Sequence, residues 1–249
     1  IIPGDPFTTH PELWKGWNAF SGSGDVTSEV VYANYGRKQD FEELKRVSVN
    51  VKGKIVIARY GGNFRGYKAK FAEANGAIGL IIYTDPLDSG FTKGLVYPEG
   101  PFYNPSTIQR GSLLTANFTG DPLTPFEPAL PLDGKKKIKR LDPNDAQLHT
   151  IPVSPIGYGE AEKILEQMKG NPVPQSWQGG LPFTYRLEGG QSLLVRLKVD
   201  QKIDFVRATN VIGLLEGSVA PDEWIILGCH LDSWGFGATD PSSGTAMLL

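Results

Sequence analysis

The stretch that decides the fold is EWIILGCHLDSWGFGATDPSSGTAMLL, residues 223–249. Its apolar run at 224–227 predicts a buried strand. His230 follows that strand almost at once, and the loop after it carries Asp232 and Asp240. An α/β protein presents a metal ion through a nitrogen ligand and a carboxylate of this kind at the end of a buried strand. The sequence therefore predicts part of a metal site here, with too few ligands to complete one.

Simpler interpretations of these residues remain open. A histidine at a strand end is usually only hydrogen-bonded, and an aspartate before Pro241 is a common way to begin a turn. Cys229 is the one cysteine of the chain, so it forms no internal disulfide. Its position at the strand end predicts a small buried side chain.

Composition limits the classes of partner. A length of 249 residues, 40% of them hydrophobic, fits one large or two modest domains. A net charge of −2 gives no electrostatic case for binding nucleic acid or an anionic membrane. No apolar run approaches the roughly 20 residues of a membrane helix, and the first residues lack the charged and apolar regions of a signal peptide. We therefore expect neither a nucleic-acid partner nor a membrane segment in this chain.

Strands alternate with helices upstream of the opening stretch. The predicted elements are strand 29–35, helix 39–47, strand 54–59, helix 67–75 ended by Gly76, strand 78–83, helix 157–168 and strand 193–199. This succession predicts an α/β fold with some α+β character. Residues 85–135 are rich in proline and glycine and predict an ordered binding loop. Apolar strands at 208–215 and 224–227 predict the opening hairpin of a second sheet.

Several short motifs occur in an order that is typical of one known family. They lie at residues 31–35, 53–61, 64–66, 109–111, 120–125, 151–158, 210–213 and 226–244. Together they resemble the glutamate carboxypeptidase II-like dizinc peptidases, from the protease-associated (apical) domain into the peptidase metal loop. The resemblance implies a protease-associated domain over 1–204, incomplete at its N-terminus, and the truncated first strands of a zinc-exopeptidase sheet over 205–249. It implies a fragment of a larger protein, catalytically incomplete alone.

The resemblance also implies roles for the metal-loop residues. His230 ligates one zinc ion and Asp240 bridges two, because a carboxylate has two oxygens and can span ions about 3.5–4 Å apart. Asp232 matches the family's catalytic carboxylate beside the ligands, which orients an imidazole and raises its basicity. The remaining ligands and the glutamate general base of the family match no position in residues 1–249.

Substrate-binding roles follow from the same resemblance. Phe64 and Arg65 match a turn whose arginine grips the α-carboxylate of the substrate's C-terminal residue, which a guanidinium fork binds bidentately. A solvated loop arginine is the alternative. Ser112 stands where glutamate-selective members have asparagine, so glutamate preference is in doubt while carboxypeptidase character is kept. Thr124 and Phe126 match a stretch that binds calcium through backbone carbonyls.

The expected function is that of a zinc carboxypeptidase that removes the C-terminal residue of small peptides with a free carboxylate. The resemblance further implies a homodimeric ectodomain, extracellular or membrane-anchored, and the triplet NFT at 117–119 is a glycosylation sequon. The alternatives are a non-catalytic receptor or interaction module of the transferrin receptor type, and a stand-alone protease-associated domain. The presence of both His230 and Asp240 favours the enzyme, because the receptor type has lost its metal ligands.

Overall fold

The computed structural model describes residues 2–249, which belong to two compact units. The larger unit is Gly16–Lys202, and the smaller one combines the N-terminal residues up to Lys15 with Ile203–Leu249. The division of the chain into domains 1–204 and 205–249 stays a prediction. None of the helices in residues 2–249 is long and apolar enough to cross a membrane.

The larger unit is built on a five-stranded sheet with helices between its strands. Its elements are β1 (Asn18–Ala19), β2 (Gly24–Tyr32), α1 (Lys38–Arg46), β3 (Ile55–Arg59), α2 (Arg65–Ala74), β4 (Gly79–Tyr83), α3 (Pro86–Ser89), β5 (Gly111–Ser112), β6 (Val153–Ile156), α4 (Tyr158–Leu165) and β7 (Leu194–Val199), with 3₁₀ turns at Pro143–Asp145 and Gln175–Trp177. The sheet order is β6-β4-β3-β2-β7. All pairs are parallel except β2 with β7. The predicted α/β fold is confirmed.

The central strands are apolar because both of their faces are covered. Every residue of β3 and of β4 is buried, as is typical of parallel strands between helices. Helix α1 buries Phe41 and Leu44 on one face. Helix α2 ends at Ala74 and is capped by Asn75, and Gly76 follows with a φ of 80° that favours glycine. The helix begins at Arg65, two residues before the predicted start, so Arg65 lies in its first turn.

A buried carboxylate joins the end of β4 to a distant loop. Asp85 accepts hydrogen bonds from the hydroxyls of Tyr83 at 2.9 Å and Tyr185 at 2.5 Å. It also accepts from the backbone N–H groups of Leu87 at 2.9 Å and Gly180 at 2.7 Å. Burial raises the pKa of Tyr185, and Asp85 raises it further, so this hydroxyl stays a donor. Asp85 therefore ties the loop around residue 180 to the core.

Replacing Asp85 by alanine is expected to destabilise the larger unit by about 3–5 kcal/mol, because several buried donors lose their acceptor together. Urea unfolding followed by far-ultraviolet circular dichroism measures the change. The matched control is Asp121→Ala, which removes an exposed carboxylate. A loss under 1 kcal/mol for Asp85→Ala would show that water replaces this acceptor.

The smaller unit has little regular structure, and two predictions about it were wrong. Its 3₁₀ turn is Pro6–Thr9 and its helix α5 is Ser242–Leu248, and the Phe236 ring lies 5.2 Å from that of Phe7. Residues 208–215 and 224–227 form no strand, and Ile225 is 92% exposed. Cys229 is also exposed, not buried. The apolar pattern is present, but a two-stranded hairpin without a covering layer is only marginally stable.

Candidate functional site

The smaller unit brings the three metal-loop residues together around one imidazole. His230 Nε2 lies 2.8 Å from Asp240 Oδ1. His230 Nδ1 lies 2.7 Å from the backbone oxygen of Asp232 and 3.1 Å from its Oδ1. The loop closes because Gly237, with a φ of 71°, turns the chain so that Ser242 N–H reaches the Gly237 carbonyl at 3.2 Å. Each ring nitrogen thus faces a different carboxylate.

The charges around His230 favour its protonated form. The pKa of His230 is raised, first by the Asp232 side chain, then by the Asp232 carbonyl and by Asp240. A neutral ring with its proton on Nδ1, held by Asp232, would leave the Nε2 lone pair facing Asp240. An imidazole nitrogen and a carboxylate oxygen are ligands that zinc accepts. This donor chemistry fits the implied zinc.

The pair is only part of a metal site. Across residues 2–249, no group of three or more His, Cys, Asp and Glu side chains is placed to hold an ion. Asp232 contacts the opposite nitrogen, where it can orient the ring but does not share an ion with Asp240. His230 and Asp240 can therefore supply two ligands of a tetrahedral site and no more.

The larger unit brings Arg65 and Ser112 together. Arg65 Nη1 donates to the Ser112 carbonyl at 3.2 Å, and Nη2 donates to Gln109 Oε1 at 3.4 Å. The guanidinium lies 5.2 Å from the centre of the Phe64 ring. Gly111 permits this approach, because a Cβ at that position would lie 2.4 Å from Arg65 Nη1. These two protein oxygens and the Phe64 ring contact a guanidinium that is partly open to solvent.

The two sets of residues lie in segments that match two different known families. Residues 26–112 match the PA domain, and residues 210–249 match peptidase family M28. Over these ranges the chain resembles a PA domain followed by the first part of an M28 peptidase.

Relatives agree with this assignment over nearly the whole chain. The chain is 40% identical to the glutamate carboxypeptidase 2 homolog of Caenorhabditis briggsae over 93% of the chain's own length. It is 38% identical to aminopeptidase NAALADL1 of Rattus norvegicus over 96% of its length. The chain spans 31% and 33% of these two relatives, about a third of each. Both names describe exopeptidases, of opposite end preference.

Two residues of the PA domain that contact or support Arg65 were not predicted from the sequence. Gln109 accepts directly from the guanidinium. Tyr60 presents its ring 6.0 Å from the Arg65 guanidinium carbon, and its hydroxyl donates to the Gln109 carbonyl at 2.9 Å. Both lie in motifs that carry the family resemblance, at 53–61 and 109–111, and this was the only feature of the sequence that pointed to them. They show that the PA domain holds Arg65 from more than one side.

A buried histidine supports the segment that follows Ser112. His149 Nε2 lies 3.0 Å from the Leu113 carbonyl, and Nδ1 lies 3.3 Å from Glu73 Oε2. Thr150 N–H also donates to Glu73, at 2.8 Å. Burial raises the pKa of Glu73, but the hydrogen bonds from His149 and Thr150 outweigh burial and lower it to about 2. Glu73 is therefore a carboxylate at neutral pH and fastens this segment to α2.

The loop proposed for calcium supplies few free ligands. Thr124 is buried, and its hydroxyl oxygen has no partner. Its carbonyl already accepts from Glu127 N–H at 3.2 Å. Phe126 has a φ of 65°, and its ring is 75% exposed. Calcium takes six to eight oxygen ligands, so these two residues could hold it only with further oxygens, and calcium binding stays a prediction.

Proposed function

We propose that the full-length protein is a zinc-dependent exopeptidase that removes the C-terminal residue of small peptides. One observation carries the proposal: His230 faces Asp240 with one nitrogen and Asp232 with the other. This is the arrangement that a zinc-ligating histidine needs, with a shared carboxylate on one side and an orienting carboxylate on the other. The M28 match over the same residues supports it.

Each residue has a separate task in this proposal. Bound zinc would supply a nucleophilic water and polarise the scissile carbonyl. Asp232 holds the Nδ1 proton of His230, so that Nε2 keeps its lone pair for the ion. Asp240 offers a carboxylate beside Nε2. Arg65 binds the free carboxylate of the substrate with the outer N–H groups of its guanidinium.

An aminopeptidase is the second candidate, because the relative NAALADL1 carries that name. An enzyme that removes N-terminal residues has no need to bind a C-terminal carboxylate. Arg65 is held in place by Gln109 and the Ser112 carbonyl, and this favours the carboxypeptidase.

Two blocked dipeptides distinguish the candidates when each is given to the full-length protein. An N-acetylated dipeptide with a free carboxylate should be hydrolysed, and a dipeptide amide with a free amine should not. Removing metal with a chelator should abolish hydrolysis, and added zinc should restore it. Cleavage of only the amide would establish the aminopeptidase, and cleavage that survives chelation would exclude the metal. No cleavage of either would favour the receptor type.

The residue at position 112 is expected to set the preference for the leaving amino acid. The serine side chain is short, and its hydroxyl oxygen already accepts a hydrogen bond from Leu114 N–H at 3.0 Å. Ser112→Asn places an amide donor further out, and one added hydrogen bond to a charged group should raise the preference for C-terminal glutamate over alanine about tenfold. Ratios of kcat/KM measure this. Ser112→Ala is the control, and an unchanged ratio in Ser112→Asn would remove this position from the specificity pocket.

The extracellular location, the homodimer and a glycan on Asn117 belong to the same proposal. Asn117 is exposed and lies in a bend of the loop, where a glycan can be attached.

A further inference from the structure

A buried ammonium lies next to the turn that presents Arg65. Lys68 is on α2, three residues after Arg65, and is fully buried. Its Nζ donates to the Tyr35 carbonyl at 2.6 Å, the Gly61 carbonyl at 2.7 Å and Asn63 Oδ1 at 2.7 Å. None of these acceptors is a carboxylate. An ammonium has three N–H groups, and here each has one acceptor.

Two of the three acceptors belong to the turn at 61–63, between β3 and the start of α2. The backbone of this turn requires glycine at two positions. Gly61 and Gly62 have φ values of 98° and 72°, and a Cβ on Gly62 would lie 2.8 Å from the Tyr35 ring. The turn therefore packs closely against the Tyr35 ring, and Lys68 holds it there through its hydrogen bonds to Gly61 and Asn63. Phe64 and Arg65 come next in the chain.

The Tyr35 ring is itself held in place. The Arg59 guanidinium carbon lies 4.1 Å from the ring centre, and the Tyr35 hydroxyl donates to Asp88 Oδ1 at 2.7 Å. Arg59 also donates to Asn34 Oδ1, at 3.0 Å from Nη2. The ring on which the 61–63 turn lies is therefore held by contacts on more than one side. Lys68 attaches the turn there with two hydrogen bonds to it and one to Tyr35, and Asn63 Nδ2 adds a longer one to the Gly36 carbonyl at 3.4 Å.

Charges around Lys68 act in both directions. Burial lowers the pKa of Lys68 to about 7, Asp40 and Asp88 favour its charged form, and Arg37 and Arg59 oppose it. A neutral amine has two N–H groups and leaves one of the three acceptors unsatisfied. The protonated form is the one that matches this turn.

We propose that Lys68 is a positioning residue: it fixes the 61–63 turn and thereby holds the Arg65 guanidinium against the Ser112 carbonyl for substrate binding. The inference rests on the proposed function, because it assigns Lys68 to the binding of the substrate carboxylate through Arg65. Lys68 itself contacts no substrate.

The kinetic test uses Lys68→Met and Asn63→Ala in the full-length protein. Lys68→Met keeps the length of the side chain and removes all three hydrogen bonds. Asn63→Ala removes one of them, together with the hydrogen bond that Asn63 Nδ2 donates to the Gly36 carbonyl at 3.4 Å. The substrate is the N-acetylated dipeptide with a free carboxylate. We expect KM to rise about tenfold in Lys68→Met and about threefold in Asn63→Ala, with kcat changed by less than twofold. A loss of folded protein alone would lower the apparent kcat and leave KM unchanged.

Lys70→Met is the matched control, because Lys70 lies on the same helix but is exposed. It should keep the wild-type KM. A wild-type KM in Asn63→Ala and in folded Lys68→Met overturns the proposal. If Lys68→Met does not fold, the comparison of Asn63→Ala with Asn63→Asp decides, because the aspartate keeps an Oδ acceptor for Lys68 and removes only the Nδ2 donor.

Hydrogen–deuterium exchange separates this inference from the proposed function, because it needs no activity. Amides of residues 61–67 should exchange at least tenfold faster in Lys68→Met than in the wild type, and in Lys70→Met at the wild-type rate. Unchanged exchange shows that Lys68 does not hold the turn. If the wild type hydrolyses neither dipeptide, the proposed function fails, and faster exchange would still establish the contact that holds the turn.

Discussion

Replacing Arg65 by alanine is expected to lower kcat/KM of the full-length protein for free-acid peptides by roughly 30- to 1,000-fold. Losing one charged hydrogen-bond partner in a closed site costs on the order of 2–4 kcal/mol, and about 1.4 kcal/mol corresponds to a tenfold change. The structure places Arg65 on two protein oxygens and beside the Phe64 ring, so the guanidinium is ordered before substrate arrives. Initial rates at low substrate concentration measure the ratio.

Arg46→Ala is the control for this variant. Arg46 is an exposed arginine on α1 that pairs with Glu43 at 2.6 Å, and its removal should leave kcat/KM unchanged. Amidated peptides should be equally poor substrates for wild type and Arg65→Ala, because they lack the carboxylate that we propose Arg65 to bind. If Arg65→Ala hydrolyses free-acid peptides as fast as the wild type does, the PA domain takes no part in substrate binding.

Replacing His230 by alanine is expected to remove bound zinc and to lower kcat by more than about 1,000-fold. Loss of a residue that only supports a ligand already costs about 10- to 100-fold, and loss of the ligand also removes the water activation that zinc provides. Elemental analysis of the dialysed protein gives the zinc content, and hydrolysis of the N-acetylated dipeptide gives kcat.

His10→Ala is the matched histidine control in the same unit. His10 contacts the Phe236 ring edge-on at 5.3 Å and accepts from Glu12 N–H at 3.2 Å, so it has no metal-binding partner in these contacts. It should keep full zinc. Full zinc and wild-type kcat in His230→Ala would remove His230 from the metal site.

The sequence predicts the central sheet and its helices because their signals are local. The β-branched runs of β3 and β4 and the spacing of Phe41 and Leu44 on α1 describe buried faces that each element shows by itself. Gly76 marks the end of α2 for a reason that is also local, its positive φ. Strand β6, with Pro155 inside it, has no such pattern, and its place at the sheet edge suits a residue without an N–H group.

Long-range partners decide what the sequence could not predict. The apolar run at 224–227 predicts a surface to be buried, yet its burial depends on strands and a covering layer that the pattern does not describe. The contact between Arg65 and the Ser112 carbonyl joins residues 47 positions apart. The resemblance assigned both residues to substrate binding but did not predict that they touch. From the sequence alone, a lysine in the predicted helix at 67–75 is expected to lie on the surface, and Lys68 carries no sign of being different. Its burial follows from the close approach of Tyr35 and the 61–63 turn.

We propose that His230 and Asp240 ligate zinc in the full-length protein. Crystals of the full-length protein, measured on both sides of the zinc absorption edge, test it most directly. We predict an anomalous peak about 2.0–2.1 Å from His230 Nε2 and about 2.0–2.2 Å from one oxygen of Asp240. A second peak should lie about 3.5–4 Å from the first, next to the other Asp240 oxygen. Absence of any peak at Asp240, or a peak on His230 Nδ1 with the Asp232 contact broken, would contradict the account.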